Sequence, residues 1–170
     1  VTLIAAAHLG HFRNLDEIAK AKAEVFEGVE PGGHALINRD DARFKMLEKL
    51  ARAAGVDNIL GFGENARSTF QLLKCKLAAD GSTITAKVGG DEIVARIGAP
   101  GRHIVQNALA VLGAAHLVGA DIGRVAVALA GLEAEAGRGK RHVLALPDGA
   151  ATLIDESYNA NPASMKAALD

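Results

Sequence analysis

Val1-Thr2-Leu3-Ile4-Ala5-Ala6-Ala7 decides the fold class. The run is almost wholly apolar rather than alternating, as in a strand buried on both faces of a parallel sheet. It ends in a polar loop, His8-Leu9-Gly10-His11, at the strand edge where α/β proteins gather their ligands. A helical period then takes over. Asn14 can cap a helix with Glu17 reaching back, and Leu15, Ile18, Ala19, Val25 and Phe26 fall on one face up to Gly28. Because the chain opens with Val inside a strand of this kind, the expectation is a piece of a longer polypeptide.

Outward from there the pattern continues as α/β. His34 to Ile37 reads as a short strand closed by Asn38-Arg39-Asp40-Asp41. Phe44, Leu47, Leu50 and Ala54 line a helix, and Asn58 to Phe62 is another strand. Residues 68–97 read as a small antiparallel meander: Ile84, Ala86 and Val88 alternate with polar residues, and Asp80-Gly81 and Gly89-Gly90-Asp91 are turn signals. Pro100-Gly101 opens a helix to about Val118 that is apolar nearly all round and hence buried, and Asp121 caps another to about Leu132. Val143–Leu146 and Ala151–Ile154 flank Asp148-Gly149 as a hairpin. The sum is a parallel or mixed sheet with flanking helices plus a small meander.

The 170 residues suffice for one core of ordinary size, and with 49% apolar and 23% charged residues the chain is globular. Lys and Arg number 19 against 20 Asp and Glu, so there is no basic excess to bind nucleic acid. The one cysteine, Cys75, excludes an internal disulfide and fits a reducing compartment, the cytoplasm. No run approaches transmembrane length, so no membrane insertion is expected.

Four places carry side chains suited to chemistry. Lys22 is spaced with Leu15, Ile18 and Phe26, inside the apolar stripe, where a lysine either snorkels to water or is paired or modified. His8 follows the first strand directly, and is either a ligand or a hydrogen-bonded loop histidine; His8 and His11 alone are weak evidence for zinc. His103 and Asn107 are four apart and share a helix face, with the donor and acceptor pair that suits a nucleobase edge or, equally, a neighbouring backbone segment. Gly137-Arg138-Gly139-Lys140-Arg141 is a glycine-flanked basic loop, able to hold an anion or simply solvated. His34, His116 and His142 belong to no constellation.

The fifth feature is Asp155-Glu156-Ser157-Tyr158-Asn159-Ala160-Asn161-Pro162-Ala163-Ser164-Met165, a polar junction between a strand and a helix start. It resembles the signature D-[DE]-S-Y-N-A-N-P-x-S-M at the entry to the C-terminal domain of Mur ligases. The other places follow in that family's order. His8 and Lys22 resemble the segment whose histidine binds magnesium and whose lysine is carbamylated. Asn38-Arg39-Asp40-Asp41 resembles N-A-D-D. Gly101-Arg102-His103 with Asn107 resembles G-R-H-N-x-x-N, with Ile104 replacing the first Asn, and Arg138 resembles the arginine that reaches the ATP phosphates. Glu156 stands where many relatives have a second Asp.

The resemblance covers essentially the whole chain and implies a part of a P-loop-type central domain. Residues 1–154 would be the C-terminal portion of that ATP-binding domain, and 155–170 a hinge and the first helix of a truncated C-terminal domain. It implies ATP and Mg²⁺ as cofactors, with His8 and carbamylated Lys22 on the metal. His103, Asn107, Arg138, Glu156, Asn159 and Asn161 would contact the nucleotide. The implied reaction is amide-bond formation through an acyl phosphate, adding D-alanyl-D-alanine to UDP-N-acetylmuramoyl-tripeptide, both held by domains outside these residues. No G-x-x-x-x-G-K-[ST] occurs within the 170 residues, so they are expected to be inactive alone. The competing expectations are another Mur-type or folylpolyglutamate-type amide ligase, or a non-catalytic nucleotide-binding or interaction module.

Overall fold

The computed structural model describes residues 1–6, 12–158 and 165–166. Five strands form one mixed sheet in sequence order: β1 (His34–Asn38), β2 (Asn58–Gly63), β3 (Phe70–Ala78), β4 (Gly81–Val88) and β5 (Asp91–Ile97). β1 and β2 pair in parallel over five residue pairs, from His34↔Asn58 to Asn38↔Phe62. β2 and β3 are also parallel, but only at Phe62↔Phe70 and Gly63↔Gln71. β3, β4 and β5 then run antiparallel. The meander foreseen from the sequence is therefore not a separate unit; it is welded to the parallel strands through β3. Its second turn is Gly89-Gly90, with both φ values positive (61° and 98°), as a two-residue hairpin loop requires.

The helices are α1 (Leu15–Ala23), α2 (Phe44–Ala53), α3 (Arg102–Leu117) and α4 (Ile122–Ala130). Ala35, Ile37 and Ile59 join one apolar cluster with Ile18, Ala19 and Phe26 of the first helical segment and with Phe44, Leu47 and Ala51 of α2. Leu36, Leu60 and Phe62 join the other, with Ile84, Ala86, Val105, Leu109 and Leu112. Because strand side chains alternate, β1 and β2 are apolar on both faces, one core to each.

Five expectations change. Val1–Ala7 is not a buried strand. Val1 alone makes a ladder-like pair with β1, its nitrogen donating to the Leu36 carbonyl (2.7 Å) and its carbonyl accepting from Asn38 (3.0 Å). β1 ends at Asn38, so side chains take over from the ladder. The Asn38 amide donates to the Thr2 carbonyl (2.8 Å), and the Asp41 carboxylate accepts from the Ile4 N–H (2.8 Å). Only Ile4 of this segment is buried; Ala7 lies outside the described residues.

The first helix does not continue regularly to Gly28. It tightens into a 3₁₀ segment at Glu24–Gly28, which changes the period and leaves Val25 exposed while burying Phe26. Asn14 caps α1 as foreseen, accepting from Asp16 and Glu17 (3.0 Å each), but Glu17 reaches back to the Arg13 N–H rather than to the cap residue itself. α3 is not buried all round: Val105, Ala108, Leu109, Leu112 and Gly113 face the sheet, and Val111 is exposed. Finally, the closing hairpin, β6 (Lys140–Leu146) and β7 (Gly149–Asp155), turns at Pro147-Asp148, one residue earlier than the glycine suggested.

Gly113 sets how closely α3 approaches the sheet. A β-carbon there would sit 2.8 Å from Cδ2 of Phe70, a fully buried ring that also packs edge-on against His116. Gly113→Ala gains about 1 kcal/mol of helix propensity. It loses about 1–3 kcal/mol through overpacking against that ring. A net destabilisation of about 1 kcal/mol is expected in urea unfolding; unchanged or raised stability would show that Phe70 does not bear on the helix.

Candidate functional site

The loop after β1 is built almost entirely from hydrogen bonds to its own side chains. Asn38 is buried; its carbonyl oxygen accepts from the Asp40 N–H (2.9 Å) while its amide holds Thr2. Asp41 holds Ile4 with one oxygen and its own turn, at the Arg43 N–H (2.8 Å), with the other. Asp40 reaches across to the end of β2, accepting from the N–H groups of Glu64 (2.7 Å) and Asn65 (2.9 Å). The close approach requires Gly63, whose φ of 137° and missing side chain leave room for the carboxylate. Arg39 stacks over Phe44, 4.5 Å from the ring centre. Asn38, Asp40 and Asp41 thus spend their polar atoms on neighbouring backbone and join three segments.

From Glu64 the network reaches α3. Its carboxylate pairs with Arg102, the first residue of the helix, and lies 3.4 Å from the Gln106 amide nitrogen. One residue beyond each of these sit His103 and Asn107, both exposed and on one face. The sharing of a face was legible in the spacing. On a helix expected to be buried nearly all round, Asn107 instead opens to solvent, where it can meet a ligand. Glu64 itself carried no sequence signal beyond its place after a strand.

The second cluster lies at the base of the β6–β7 hairpin. Asp155 accepts from the Gly137 N–H (2.8 Å) with one oxygen, and from the hydroxyl (2.6 Å) and N–H (3.1 Å) of Ser157 with the other. The Gly139 N–H donates to the Asp155 carbonyl (2.9 Å), and that of Tyr158 to the Gly137 carbonyl (3.1 Å). Arg138 lies over the Tyr158 ring, 4.6 Å from its centre. With Asp155 fully engaged, the carboxylate left for a ligand in this turn is that of Glu156, half-buried against Gly139. The Asp155 side chain was missed as a functional group in the sequence, because a strand-end aspartate gives no sign of what it will cap.

Lys22 does not face the core. α1 buries the line Ile18, Ala19 and Ala23, and Lys22 flanks it, exposed. It lies near residue 1, where burial and then the Lys22 charge push the Val1 amino group below its ordinary pKa. The place inside the apolar stripe expected for Lys22 from its spacing is therefore not met. His8, Asn159 and Asn161 lie outside the described residues. Among the described residues, Lys22, the His103–Asn107 face and the Arg138–Glu156 turn are three separate places with no hydrogen bond between them. No three acidic, histidine or cysteine side chains there stand ready to hold a metal ion. No described helix is long and apolar enough to cross a membrane.

The Ser157 hydroxyl, then the Gly137 and Ser157 N–H groups, hold the Asp155 carboxyl below its ordinary pKa. A depressed pKa means that the latch is fully present above the usual carboxylate range and is lost as pH falls through the lowered value. Amide exchange at Gly137 and Ser157, corrected for intrinsic rates, should accelerate on acidification. In Asp155→Asn it should be fast at every pH. A wild-type profile that does not bend with pH would remove the latch.

Residues 1–115 match the family model described as Mur ligase middle domain. The chain is 33% identical over 170 residues to the UDP-N-acetylmuramoyl-tripeptide--D-alanyl-D-alanine ligase of Escherichia coli K12, covering 99% of this chain and 36% of that protein. The ligase of the same name from Rickettsia prowazekii is 30% identical over 167 residues, covering 98% of this chain and 36% of its own length. The chain therefore spans about a third of these relatives. Among solved structures, MurF from Acinetobacter baumannii superposes with a TM-score of 0.86 at 27% identity, over 96% of this chain and 34% of that one.

Proposed function

Since the chain belongs to the Mur ligase middle-domain family, we propose that it is the nucleotide-side part of an ATP-dependent ligase joining D-alanyl-D-alanine to UDP-N-acetylmuramoyl-tripeptide in the cytoplasm. The observation that carries this reading is the exposed His103–Asn107 face at the start of α3, beside the loops that close β1 and β2. It offers a donor and an acceptor at one helical spacing to the edge of an adenine. Support comes also from the 33% identity to a ligase of that name over nearly the whole chain.

In this reaction the γ-phosphoryl group passes from ATP to the tripeptide carboxylate, and ADP leaves. The D-alanyl-D-alanine amine then attacks the acyl carbon, the amide bond forms, and phosphate departs as the amine loses its proton. Little of this needs covalent help from protein; positioning and charge stabilisation dominate. His103 and Asn107 hold the base. Arg138, steadied on Tyr158, offers its guanidinium to the phosphates. Glu156, with Asn159 and Asn161, faces the ribose and phosphates when the run 155–170 acts as a hinge for a C-terminal domain.

Magnesium would neutralise phosphate charge when bound. The described residues do not form a cage for it. The proposed contribution of this chain is His8 with Lys22 as its carbamate. Exposure of Lys22 means that the carbamate must be held by partners beyond the described residues, and not by a desolvated helix stripe.

Two measurements test the reading in the complete enzyme. His103→Ala combined with Asn107→Ala should raise KM for ATP about tenfold or more, at about 1 kcal/mol for each lost hydrogen bond. KM for the two peptide substrates should stay put; an unchanged KM for ATP removes the nucleobase assignment. Lys22→Ala should cost at least about 100-fold in kcat, with partial recovery when a short carboxylate is added to the buffer. Near-normal turnover without the carboxylate would remove the carbamate.

A further inference from the structure

We propose that Glu64 is a positioning residue, which sets the rotation of the first turn of α3 and with it the direction in which His103 and Asn107 face. The proposal rests on the reading of that face as the nucleobase contact, and the test below separates the two.

α1 and α4 are capped by their own residues, Asn14 and Asp121. α3 follows Gly101, makes no side-chain cap hydrogen bond, and has no acidic residue in its first turn. Its free N–H groups and the positive end of its dipole are left without the usual complement from within the helix. Glu64 brings that negative charge from another element. Its carboxylate engages Arg102 and Gln106, four residues apart, and so spans the first turn on one side.

The carboxylate is itself well placed to act as a fixed point. Gly63 turns the chain at the end of β2, and Asp40 takes the N–H groups of both Glu64 and Asn65. The base of Glu64 is thereby tied to the sheet. Gln106 adds a constraint on orientation. Its Oε1 is buried without a hydrogen-bond partner, and its Nε2 faces Glu64. Turning the amide over would set Oε1 against the carboxylate, so Glu64 decides which way the amide lies. Arg102 and Gln106 each precede one of the two base-facing residues, so a slip of the first turn about the helix axis would carry His103 and Asn107 with it.

The test compares Glu64→Ala, Glu64→Gln and the exchanged pair Glu64→Arg with Arg102→Glu in the complete enzyme, together with amide exchange in the first turn of α3. Glu64→Ala should raise KM for ATP about three- to tenfold, the range of an exposed ion pair plus a helix-terminus charge. Its kcat should stay within about twofold, and exchange at Ile104, Val105 and Gln106 should quicken. Glu64→Gln should fall between, because it keeps the shape and loses the charge. The exchanged pair, which restores the tie between the loop and the helix, should recover most of the KM for ATP. Where the His103/Asn107 variant does raise KM for ATP, an unchanged KM in Glu64→Ala, or no recovery in the exchanged pair, overturns the proposal. If the His103/Asn107 variant leaves KM for ATP unmoved while Glu64→Ala still quickens exchange in this turn, the nucleobase reading fails and Glu64 still positions the helix. If exchange is also unchanged, Glu64 has no such role.

Discussion

The Asp40 carboxylate, accepting at once from the N–H groups of Glu64 and Asn65, is the contact on which the candidate site depends. It acts where the sheet stops: β1 and β2 have both ended, no ladder remains to hold their loops, and a charged acceptor takes over. Asn38 and Asp41 do the same for the segment at residues 2–4. A motif that resembles a ligand-binding signature thus spends its polar atoms on backbone, and its service to a ligand is to hold other residues still.

The two faces of the sheet divide the labour. α1 and α2 cover one, and α3 with α4 covers the other. Strands apolar on both faces make the two cores mechanically continuous, so a shift on one side is felt on the other. The parallel pairing of β2 with β3 is only two residue pairs long, and α3 bridges it by packing on β1 through β5. The helix that presents His103 and Asn107 is also the one that holds the two halves of the sheet together.

Much of this was legible in the sequence because local chemistry decided it. Asn14 and Asp121 cap because of their side chains, Gly89-Gly90 turns because glycine adopts positive φ without strain, and Ile84, Ala86 and Val88 alternate because a half-buried strand must. The failures are places where distant residues decided. Val25 turned outward when the helix tightened to 3₁₀, which no period foretells. Lys22 matched the apolar spacing and still reached solvent, because the buried line ran through Ala19 and Ala23 beside it. Val1–Ala7 had the composition of a strand, but its neighbour β1 ended too soon to pair with it. Glu64 was invisible because its importance lies in a helix 38 residues away.

The β6–β7 ribbon behaves unlike the rest. Val143, Leu144, Leu146, Leu153 and Ile154 are all exposed on it, and both of its strands are edges with open N–H and C=O groups. A short, apolar two-stranded ribbon is a template for pairing with another copy of itself. Its protection is at its ends: Lys140 and Arg141 repel a like neighbour at one, and Pro147 withholds a donor at the other. Colloidal behaviour of these 170 residues is therefore governed by a handful of gatekeepers in the hairpin, and losing one of those charges would tell first in solubility at high concentration, while the melting of the five-stranded sheet stayed the same.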